Sequence, residues 1–324
     1  MMNVRPSSLD GFIGQERVRK VLQILCRSAK AKQTAVSHVL LSGPPGLGKT
    51  TLARIVAAEM GSGLVETIGG NLQAPEQLVG VLRSLKPFDI LFIDEIHAMP
   101  RAVEEILYPA MEDNVVPVVK TESSDFMRAL GVQAKPATET VGLPPFTLLG
   151  ASTMSGLVSA PLRSRFAHEL ILEPYGLDDL TRIVLNASGM MGIELPPEVA
   201  LEVARRSRST ARVAIGHLRW LVEYSSGLGI EPDIDAVRDA FEMRDVDACG
   251  LTGQDRRYLS MLIEAGQPVG LASVSAAINE TVETIEQAME PHLIREGLIR
   301  RAPRGRVATA RAREMLATPQ EVGS

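Results

Sequence analysis

Eight consecutive residues, Gly43-Pro44-Pro45-Gly46-Leu47-Gly48-Lys49-Thr50, have the composition of a phosphate-binding loop. They fit the pattern G-x-x-x-x-G-K-[ST] and lie between an apolar run and a helical pattern, where such a loop belongs. The glycines let backbone N–H groups curl around phosphate oxygens, and the start of the following helix adds a favourable dipole. Lys49 would supply a charge to the β- and γ-phosphates, and the Thr50 hydroxyl would bind Mg²⁺. We expect a nucleoside triphosphate here.

An acidic pair, Asp94-Glu95, ends a second apolar run about 45 residues after this loop. Asp94 would hold Mg²⁺, directly or through water, and Glu95 would polarise the attacking water. A solvated acidic loop would have the same composition, but the phosphate-binding loop favours the catalytic interpretation. Together, Lys49, Asp94 and Glu95 predict hydrolysis of ATP or GTP rather than nucleotide binding alone.

The C-terminal region carries a basic segment. Residues 295–313 hold seven arginines and one acid, a local charge of +6 in a chain whose net charge is −5. Three of them, Arg301, Arg304 and Arg306, flank a predicted hairpin tip, where guanidinium groups could meet phosphates or a narrow minor groove. Such contacts are indifferent to sequence and weaken steeply with salt. A charged hairpin without a partner, or one that binds an anionic protein, would give the same pattern.

The remaining composition excludes several classes of function. Aromatic residues make up only 4% of the chain, which argues against extended stacking platforms for sugars or bases. The five histidines and the two distant cysteines, Cys26 and Cys249, have no metal-ligand spacing, so we expect no metal beyond nucleotide-bound Mg²⁺. With few cysteines and no long apolar stretch, we expect a cytoplasmic protein without a membrane partner.

The chemistry-bearing residues need a scaffold, and short apolar runs predict it. Runs at residues 38–43, 89–94 and 146–151 lack strict alternation, which is typical of strands buried on both faces. Leu52, Ile55, Val56 and Met60 recur at helical spacing after the first run. The pattern predicts an α/β fold with a parallel sheet covered by helices.

The chain changes character after Tyr175. Strand signals stop there, and helical patterns continue to about residue 248. Thr252 and Asp255 have the spacing of a capping box that begins a third domain. Three short helices and a hairpin within 299–309 predict a winged helix. We therefore expect an ATPase core at 1–175, a helical domain at 176–249, which the family resemblance described next implies to be a lid, and a winged-helix DNA-binding domain at 250–324.

These features and several further segments resemble the AAA+ ATPases and, more narrowly, the RuvB family of bacterial Holliday-junction branch-migration motors. The resemblance extends along nearly the whole chain and implies an AAA+ P-loop core, a lid and a winged helix that work as a ring hexamer on duplex or four-way-junction DNA. The segments that carry it are Arg5-Pro6, Ile13-Gly14-Gln15, Leu91–His97, Val103–Asp113, Leu143–Leu148, Pro161–Phe166 and Pro303–Thr309.

The resemblance also implies roles for individual residues. Arg5 and Ile13 would lie near the adenine, with Tyr175 closing over it. Thr153 would be the sensor of γ-phosphate or lytic water, Arg165 a finger reaching the neighbouring subunit's ATP with Arg163 close by, and Arg212 the lid arginine. A solvated helix face is the alternative for Arg212. The predicted catalytic set is Lys49, Asp94, Glu95, Thr153 and Arg165; the predicted nucleotide-binding set is Arg5, Ile13, Gly43, Gly46, Gly48, Lys49, Thr50, Thr51, Arg163, Tyr175 and Arg212.

The chain departs from the family pattern at a few places. Segment 114–142 is about ten residues longer than the family's hairpin for a RuvA-type partner, and it holds an apolar cluster instead of a glycine-rich turn. Docking of that partner is left open. Met154 stands where an arginine is usual, Ser209 and Ala211 stand for Gly and Pro, and Thr252 replaces an acid. Two alternatives follow: a RuvB-like paralogue that remodels a protein complex, and an ATP-gated DNA-binding scaffold. The cluster consists of Phe126, Met127, Leu130 and Val132.

Overall fold

The structure is a computed structural model that describes residues 4–120 and 137–317. The apolar cluster of segment 114–142, Phe126 to Val132, lies outside the described residues. The described strands are β1 Val39–Ser42, β2 Leu64–Ile68, β3 Ile90–Asp94, β4 Val115–Lys120, β5 Ala137–Gly142, β6 Thr147–Ser152, β7 His168–Ile171, β8 Ile299–Ala302 and β9 Gly305–Ala308.

The three apolar runs form the centre of a five-stranded parallel sheet with the order β2-β3-β6-β1-β7. Every residue of β1 and β6 is buried, and so are the first four residues of β3. Strands covered on both faces need no polar alternation, which explains their composition. The prediction of an α/β fold with a parallel sheet is confirmed, and the limits of these three strands differ from the predicted runs by at most one residue.

Helices cover this sheet. Leu52, Ile55 and Val56 are buried on the helix that follows β1, as predicted, while Met60 is half-buried. A hydrophobic cluster joins Leu91 and Leu148 of the sheet to Leu78 and Leu107 of two covering helices. These helices are α1 Glu16–Lys32, α2 Lys49–Met60, α3 Pro75–Ser84, α4 Arg101–Asp113 and α5 Ala160–Arg163, with short 3₁₀ turns at Gly69–Asn71, Ile96–Ala98 and Ser155–Leu157.

The chain divides into two compact units. The first runs to Asp179 and includes Thr210–Arg212; the second holds Leu180–Ser209 and the residues from Val213 onward. The predicted boundaries at 175 and 249 remain predictions. The next helices are α6 Leu177–Met190, α7 Pro197–Arg205, α8 Ala211–Leu228 and α9 Ile234–Glu242.

The C-terminal elements form a winged helix, as predicted. Thr252 and Asp255 make the expected capping box, in which the Asp255 carboxylate accepts the Thr252 N–H at 2.8 Å. Strands β8 and β9 pair antiparallel with Arg301 opposite Arg306, and the backbone of Arg306 also pairs with Val269. The helices are α10 Gly253–Ala265, α11 Leu271–Ile278, α12 (Val282–Thr284, a π turn at Ile285–Met289, then Glu290–Arg295) and α13 Ala310–Ala317.

The residues that the structure describes lack a membrane-spanning helix and a cluster of metal ligands. None of their helices combines the length and the apolar character that a bilayer crossing requires. No group of three or more His, Cys, Asp or Glu side chains among them is arranged to hold a metal ion.

Candidate nucleotide site and candidate DNA interface

The predicted phosphate-binding loop connects β1 to α2, and its conformation requires glycine. Gly46 and Gly48 have φ values of +78° and +104°, in the left-handed region. A Cβ at Gly48 would lie 2.8 Å from Cζ of Phe12, and one at Gly46 would lie 2.6 Å from Cγ2 of Thr210. The side chains packed around the loop therefore leave room only for its backbone.

Lys49 begins α2 and is only 6% exposed. Its ammonium donates hydrogen bonds to the carbonyl oxygens of Gly43, at 2.6 Å, and Pro44, at 3.0 Å. Burial lowers the pKa of Lys49, while the nearby carboxylates of Glu95 and Asp94 act in the opposite direction. A desolvated cation inside the loop is a strong attractor for phosphate oxygens.

Thr50 and Asp94 come from different elements and meet at the end of β3. The Thr50 hydroxyl lies 3.5 Å from Oδ2 of Asp94, and Oδ1 of Asp94 accepts the backbone N–H of Glu95 at 3.1 Å. The pair offers a hydroxyl and a carboxylate oxygen, the hard ligands that Mg²⁺ takes beside phosphates. The structure thus brings together the two predicted metal ligands.

Glu95 is held in a network that includes the predicted sensor. Its backbone has φ +47°, an uncommon value for a non-glycine residue. Its Oε2 accepts hydrogen bonds from the backbone N–H of Thr153, at 3.0 Å, and from the Thr153 hydroxyl, at 2.8 Å. Nδ1 of His97 lies 3.3 Å from the same oxygen and 3.0 Å from the Ser152 hydroxyl.

His97 is a member of this network that the sequence analysis missed. Among the five histidines it was distinguished only by lying two residues after Glu95. A metal-ligand pattern was the signal sought, whereas this histidine contacts a carboxylate and a hydroxyl. Its position in the short turn that follows Glu95, after β3 ends at Asp94, could have identified it.

Tyr175 lies against the phosphate-binding loop. It is 5% exposed, and its hydroxyl donates to the carbonyl oxygen of Leu47 at 2.9 Å. Burial raises the pKa of Tyr175, so the phenol stays protonated and can donate this bond. Ile13 is half-buried and Arg5 is exposed. The predicted adenine contacts of Arg5, Ile13 and Tyr175 remain predictions.

Arg212 also reaches the loop. Its backbone N–H donates to the carbonyl oxygen of Gly46 at 3.2 Å, and its charge is among those that lower the pKa of Lys49. Its side chain is exposed. Thr51, beside Thr50 on α2, is half-buried. Nucleotide contacts by Thr51 and Arg212 remain predictions.

The two arginines of the predicted finger segment have partners within the chain. Arg163 donates to Oε1 of Glu169 at 2.8 Å. Nε of Arg165 lies 3.2 Å from Oε1 of Glu112, and its guanidinium carbon lies 4.2 Å from the centre of the Tyr108 ring. A role toward a second subunit remains a prediction for both.

On the winged helix, two of the three predicted DNA contacts bind a buried carboxylate instead of standing free. Glu290 is fully buried and accepts hydrogen bonds from Arg301, at 2.9 and 3.1 Å, and from Arg306, at 2.6 and 3.3 Å. Arg306 also donates to Glu286 at 2.8 Å. The side chain of Arg306 is 14% exposed and that of Arg301 is 57% exposed. The expectation that both offer free guanidinium groups is wrong, because Glu286 and Glu290, which precede the basic segment 295–313 in the chain, pair with them.

Two other arginines of this hairpin are open to solvent. Arg304 lies in the turn between β8 and β9, and Arg300 lies on β8; both are exposed, and neither has an ion pair among the described residues. The surface of the wing that offers positive charge is therefore centred on Arg300 and Arg304. Contact of Arg301, Arg304 and Arg306 with DNA remains a prediction.

Segment 114–142 forms the paired stem of a hairpin. Strands β4 and β5 are antiparallel, in register from Val115 opposite Gly142 to Lys120 opposite Ala137. Docking of a RuvA-type partner at this stem remains a prediction. Residues 121–136, which include the apolar cluster, lie outside the described residues.

Comparisons with known proteins cover nearly the whole chain. Residues 4–172 match a family model described as the Holliday junction DNA helicase RuvB P-loop domain, 175–247 the RuvB AAA lid domain and 248–317 the RuvB C-terminal winged helix domain. The RuvB subunit of the Holliday junction branch migration complex from Prochlorococcus marinus (strain MIT 9303) is 42% identical over 321 residues, which are 98% of this chain and 88% of that protein.

Solved structures of Thermotoga maritima RuvB are similar throughout. The structure titled as the Holliday junction branch migration motor has a TM-score of 0.83 and 38% identity, and covers 97% of this chain and 98% of its own. A P216G mutant has a TM-score of 0.86 and 37% identity, and covers 98% of this chain and 99% of its own. The similarity therefore includes the core, the lid and the winged helix.

Proposed function

This chain belongs to the RuvB family, and we propose from that premise that it is an ATP-hydrolysing motor that drives branch migration of Holliday junctions. The observation that carries the proposal is the pair of hydrogen bonds from Thr153 to Glu95, beside Lys49, Thr50 and Asp94. Those bonds join the residue that would activate water to the residue that would sense the γ-phosphate. A protein that only binds nucleotide needs neither.

The residues present fit ATP and Mg²⁺. The glycine backbone leaves a cradle that a Cβ would fill, Lys49 is a buried cation inside it, and Thr50 and Asp94 supply hard oxygen ligands. When bound, Mg²⁺ neutralises charge on the phosphates and orients them. Lys49 would exchange the carbonyl oxygens of Gly43 and Pro44 for phosphate oxygens.

Glu95 is arranged to act on water. Its Oε2 accepts both bonds from Thr153, while Oε1 has no hydrogen-bond partner among the described residues and is the oxygen left for a water. Thr153 holds the carboxylate in one orientation, which is what a general base requires. A change in the Thr153 contacts on loss of γ-phosphate would then release Glu95, and Arg212 would report the same event to the lid.

We assign the assembly to a ring, with six subunits as the family resemblance implies. Arg165 would reach the ATP of the neighbouring subunit, with Arg163 beside it. A finger supplied by another molecule is worth roughly 10³–10⁵ in turnover, so hydrolysis would depend on assembly. The β4–β5 hairpin would dock a junction-binding partner of the RuvA type, and the cytoplasm is the compartment that this activity requires.

The wing would hold the DNA backbone through Arg300 and Arg304. Contacts with phosphates carry no sequence information, which suits a motor that must pass along any sequence. Arg301 and Arg306 contribute chiefly by fixing the hairpin on Glu290. DNA binding is therefore assigned to Arg300 and Arg304, and stabilisation of the hairpin to Arg301 and Arg306.

The test is steady-state ATP turnover with and without four-way-junction DNA. We expect stimulation by DNA that is lost in the Arg300→Ala/Arg304→Ala double variant, with basal turnover retained. Arg238→Ala is the matched control and should keep the stimulation, because it removes an exposed arginine of α9 whose one ion pair within the described part of the chain is with Asp235.

Two results would contradict this proposal in different ways. Stimulation that survives in the Arg300→Ala/Arg304→Ala variant would remove the grip from the wing. No stimulation of the unmodified chain by DNA, together with stimulation by a protein that binds the β4–β5 hairpin, would favour a paralogue that remodels a protein complex.

A further inference from the structure

One face of α4 carries three polar residues at four-residue spacing, Glu104, Tyr108 and Glu112. Residues four apart lie above one another on a helix, so the three side chains form a continuous stripe. The stripe lies on α4, and none of the chemistry above assigns it a role. All three residues contact the segment that ends in Arg165.

The stripe contacts Arg165 in two ways: Tyr108 lies against the flat face of the guanidinium, and Glu112 lies at one of its edges. The guanidinium carbon lies 4.2 Å from the centre of the Tyr108 ring, within the range of a cation–π contact. Nε lies 3.2 Å from Oε1 of Glu112, and Nη1 donates to the carbonyl oxygen of Pro161 at 2.7 Å. The side chain is 21% exposed, and the contact of Nε with Glu112 is an ion pair without a hydrogen bond. Nη2 has no hydrogen-bond partner in the part of the chain that the structure describes.

Glu104 connects the stripe to Ser159, which begins the segment that leads to Arg165. It is buried, and its Oε1 accepts a 2.6 Å hydrogen bond from the Tyr108 hydroxyl and a short one from the hydroxyl of Ser159. Ser159 in turn caps α5, where its hydroxyl accepts the backbone N–H of Leu162 at 3.2 Å. One carboxylate therefore sets both the position of the ring under Arg165 and the start of the helix that leads to it.

We propose that Glu104, Tyr108 and Glu112 are positioning residues that hold Arg165 in the orientation in which it reaches the nucleotide of a neighbouring subunit. This inference rests on the proposed function, in which Arg165 acts in trans. A free arginine side chain would have to be ordered in each catalytic cycle, whereas here the face and one edge of the guanidinium are fixed before the neighbour arrives. The unpaired Nη2 edge remains for phosphate oxygens.

Two roles are possible for these contacts: they could orient Arg165 toward the neighbour's nucleotide, or they could hold Arg165 away from it. The geometry favours the first role. Glu112 is 54% exposed, and an ion pair with an exposed carboxylate is weakened by solvent and salt. Such a pair is too weak to hold a guanidinium back from a triphosphate, which carries several negative charges. The stacking on Tyr108 is also compatible with further hydrogen bonds, because the ring occupies only the face of the guanidinium.

The experiment uses mixed assemblies of the full chain, so that the finger and the hydrolytic site belong to different copies. The donor copy carries Glu95→Gln, which keeps Arg165 but cannot turn ATP over; the acceptor copy carries Arg165→Ala and keeps its own site. Neither copy alone should be active, and the mixture should recover turnover wherever a donor's Arg165 faces an acceptor's nucleotide.

Variants of the stripe are then placed in the donor copy. We expect Tyr108→Leu to lower the recovered kcat about fivefold to tenfold with little change in KM, the size of a lost cation–π contact. Tyr108→Phe, which keeps the ring, should rescue most of this loss, and Glu112→Gln should lower kcat two- to threefold. Glu105→Gln is the matched control, because Glu105 lies on the exposed side of α4 and its one ion pair among the described residues is with Arg101.

Placing Tyr108→Leu in the acceptor copy separates positioning from folding. The acceptor copy lacks Arg165, so Tyr108 has no guanidinium to position there. A positioning role therefore predicts no further loss of kcat. If Tyr108→Leu lowers kcat equally from either copy, the proposal is overturned in favour of a structural role. If Tyr108→Leu in the donor copy raises kcat, the proposal is overturned in favour of contacts that hold Arg165 away from the nucleotide. Full recovery with the Tyr108→Leu donor would overturn this inference alone, whereas no recovery in the unmodified mixture would overturn the trans finger itself.

Discussion

Replacing Arg306 should loosen the winged helix, whereas replacing Arg304 should not. Arg306 is 14% exposed and donates to Glu290, which is fully buried, and to Glu286. Removing one partner of a buried ion pair typically costs 3–5 kcal/mol, since the other charge stays buried. Here Glu290 keeps Arg301 at 2.9 Å and the Tyr258 hydroxyl at 3.0 Å, which reduces the expected cost to about 2–3 kcal/mol.

Hydrogen exchange of the full chain, followed on peptides of the winged helix, measures this cost locally. Since 1.4 kcal/mol corresponds to a factor of ten, Arg306→Ala should speed exchange in β8, β9 and α12 by roughly 30- to 100-fold. Arg304→Ala should leave exchange unchanged, because an exposed residue without an ion pair contributes within about 0.5 kcal/mol. Binding to duplex DNA, measured over a salt series, should show the reverse order, with Arg304→Ala lowering the salt slope by about one.

The pKa of Glu290 adds an independent check on the cluster. Burial by itself raises this pKa, but the hydrogen bonds from Arg306, Arg301 and Tyr258 outweigh it and hold the pKa below its ordinary value. A depressed carboxyl pKa stabilises the fold above the unfolded pKa and loses that contribution as pH falls through the folded one. Unchanged winged-helix exchange in Arg306→Ala, or loss of DNA binding without any change in exchange, would refute the assignment of Arg306 to the clamp on Glu290.

Three further changes test other parts of the structure. Glu95→Gln should bind ATP but turn it over at least 100-fold more slowly, since a neutral amide cannot accept a proton from water; near-normal turnover would remove Glu95 from its role. Ser209 has φ +55°, so Ser209→Gly should raise the free energy of unfolding by about 0.5 kcal/mol in urea titrations followed by Trp220 fluorescence, and a decrease would contradict the strain. Burial, reinforced by nearby arginines, lowers the pKa of His217 to about 4, and it packs on Phe241. A lowered histidine pKa reduces the free energy of unfolding as pH falls below about 6.5. The loss of unfolding free energy between pH 7 and 4.5 should therefore be smaller by about 2.5 kcal/mol in His217→Leu, and an unchanged loss would show that His217 does not cause it.

Much of the fold and of the nucleotide site could be predicted from sequence because the signals are local. The phosphate-binding loop takes its conformation from glycines within eight residues, and the Thr252–Asp255 cap from two residues three apart. The buried strands are visible as apolar runs because parallel strands are covered on both faces. Asp94 and Glu95 were identified by their place at the end of such a run.

The partners of these residues could not be predicted in the same way. Glu95 and Thr153 are 58 residues apart and meet because β3 and β6 are neighbours in the sheet, an order that the chain does not follow. The cation–π contact of Arg165 with Tyr108 likewise depends on the packing of α4 against the segment after α5. No local propensity encodes these contacts.

The arginines of the wing mark the boundary between what sequence and tertiary structure determine. Their number and their place on a hairpin follow from sequence, since charge and turn residues can be counted. Which of them is free depends on where α12 buries Glu290, 11 and 16 residues from its two arginine partners. A buried carboxylate must be paired, so the fold assigns Arg301 and Arg306 to it and leaves Arg300 and Arg304 at the surface. Sequence by itself determined the chemistry available to this protein, and only tertiary packing decided which groups stay free to perform it.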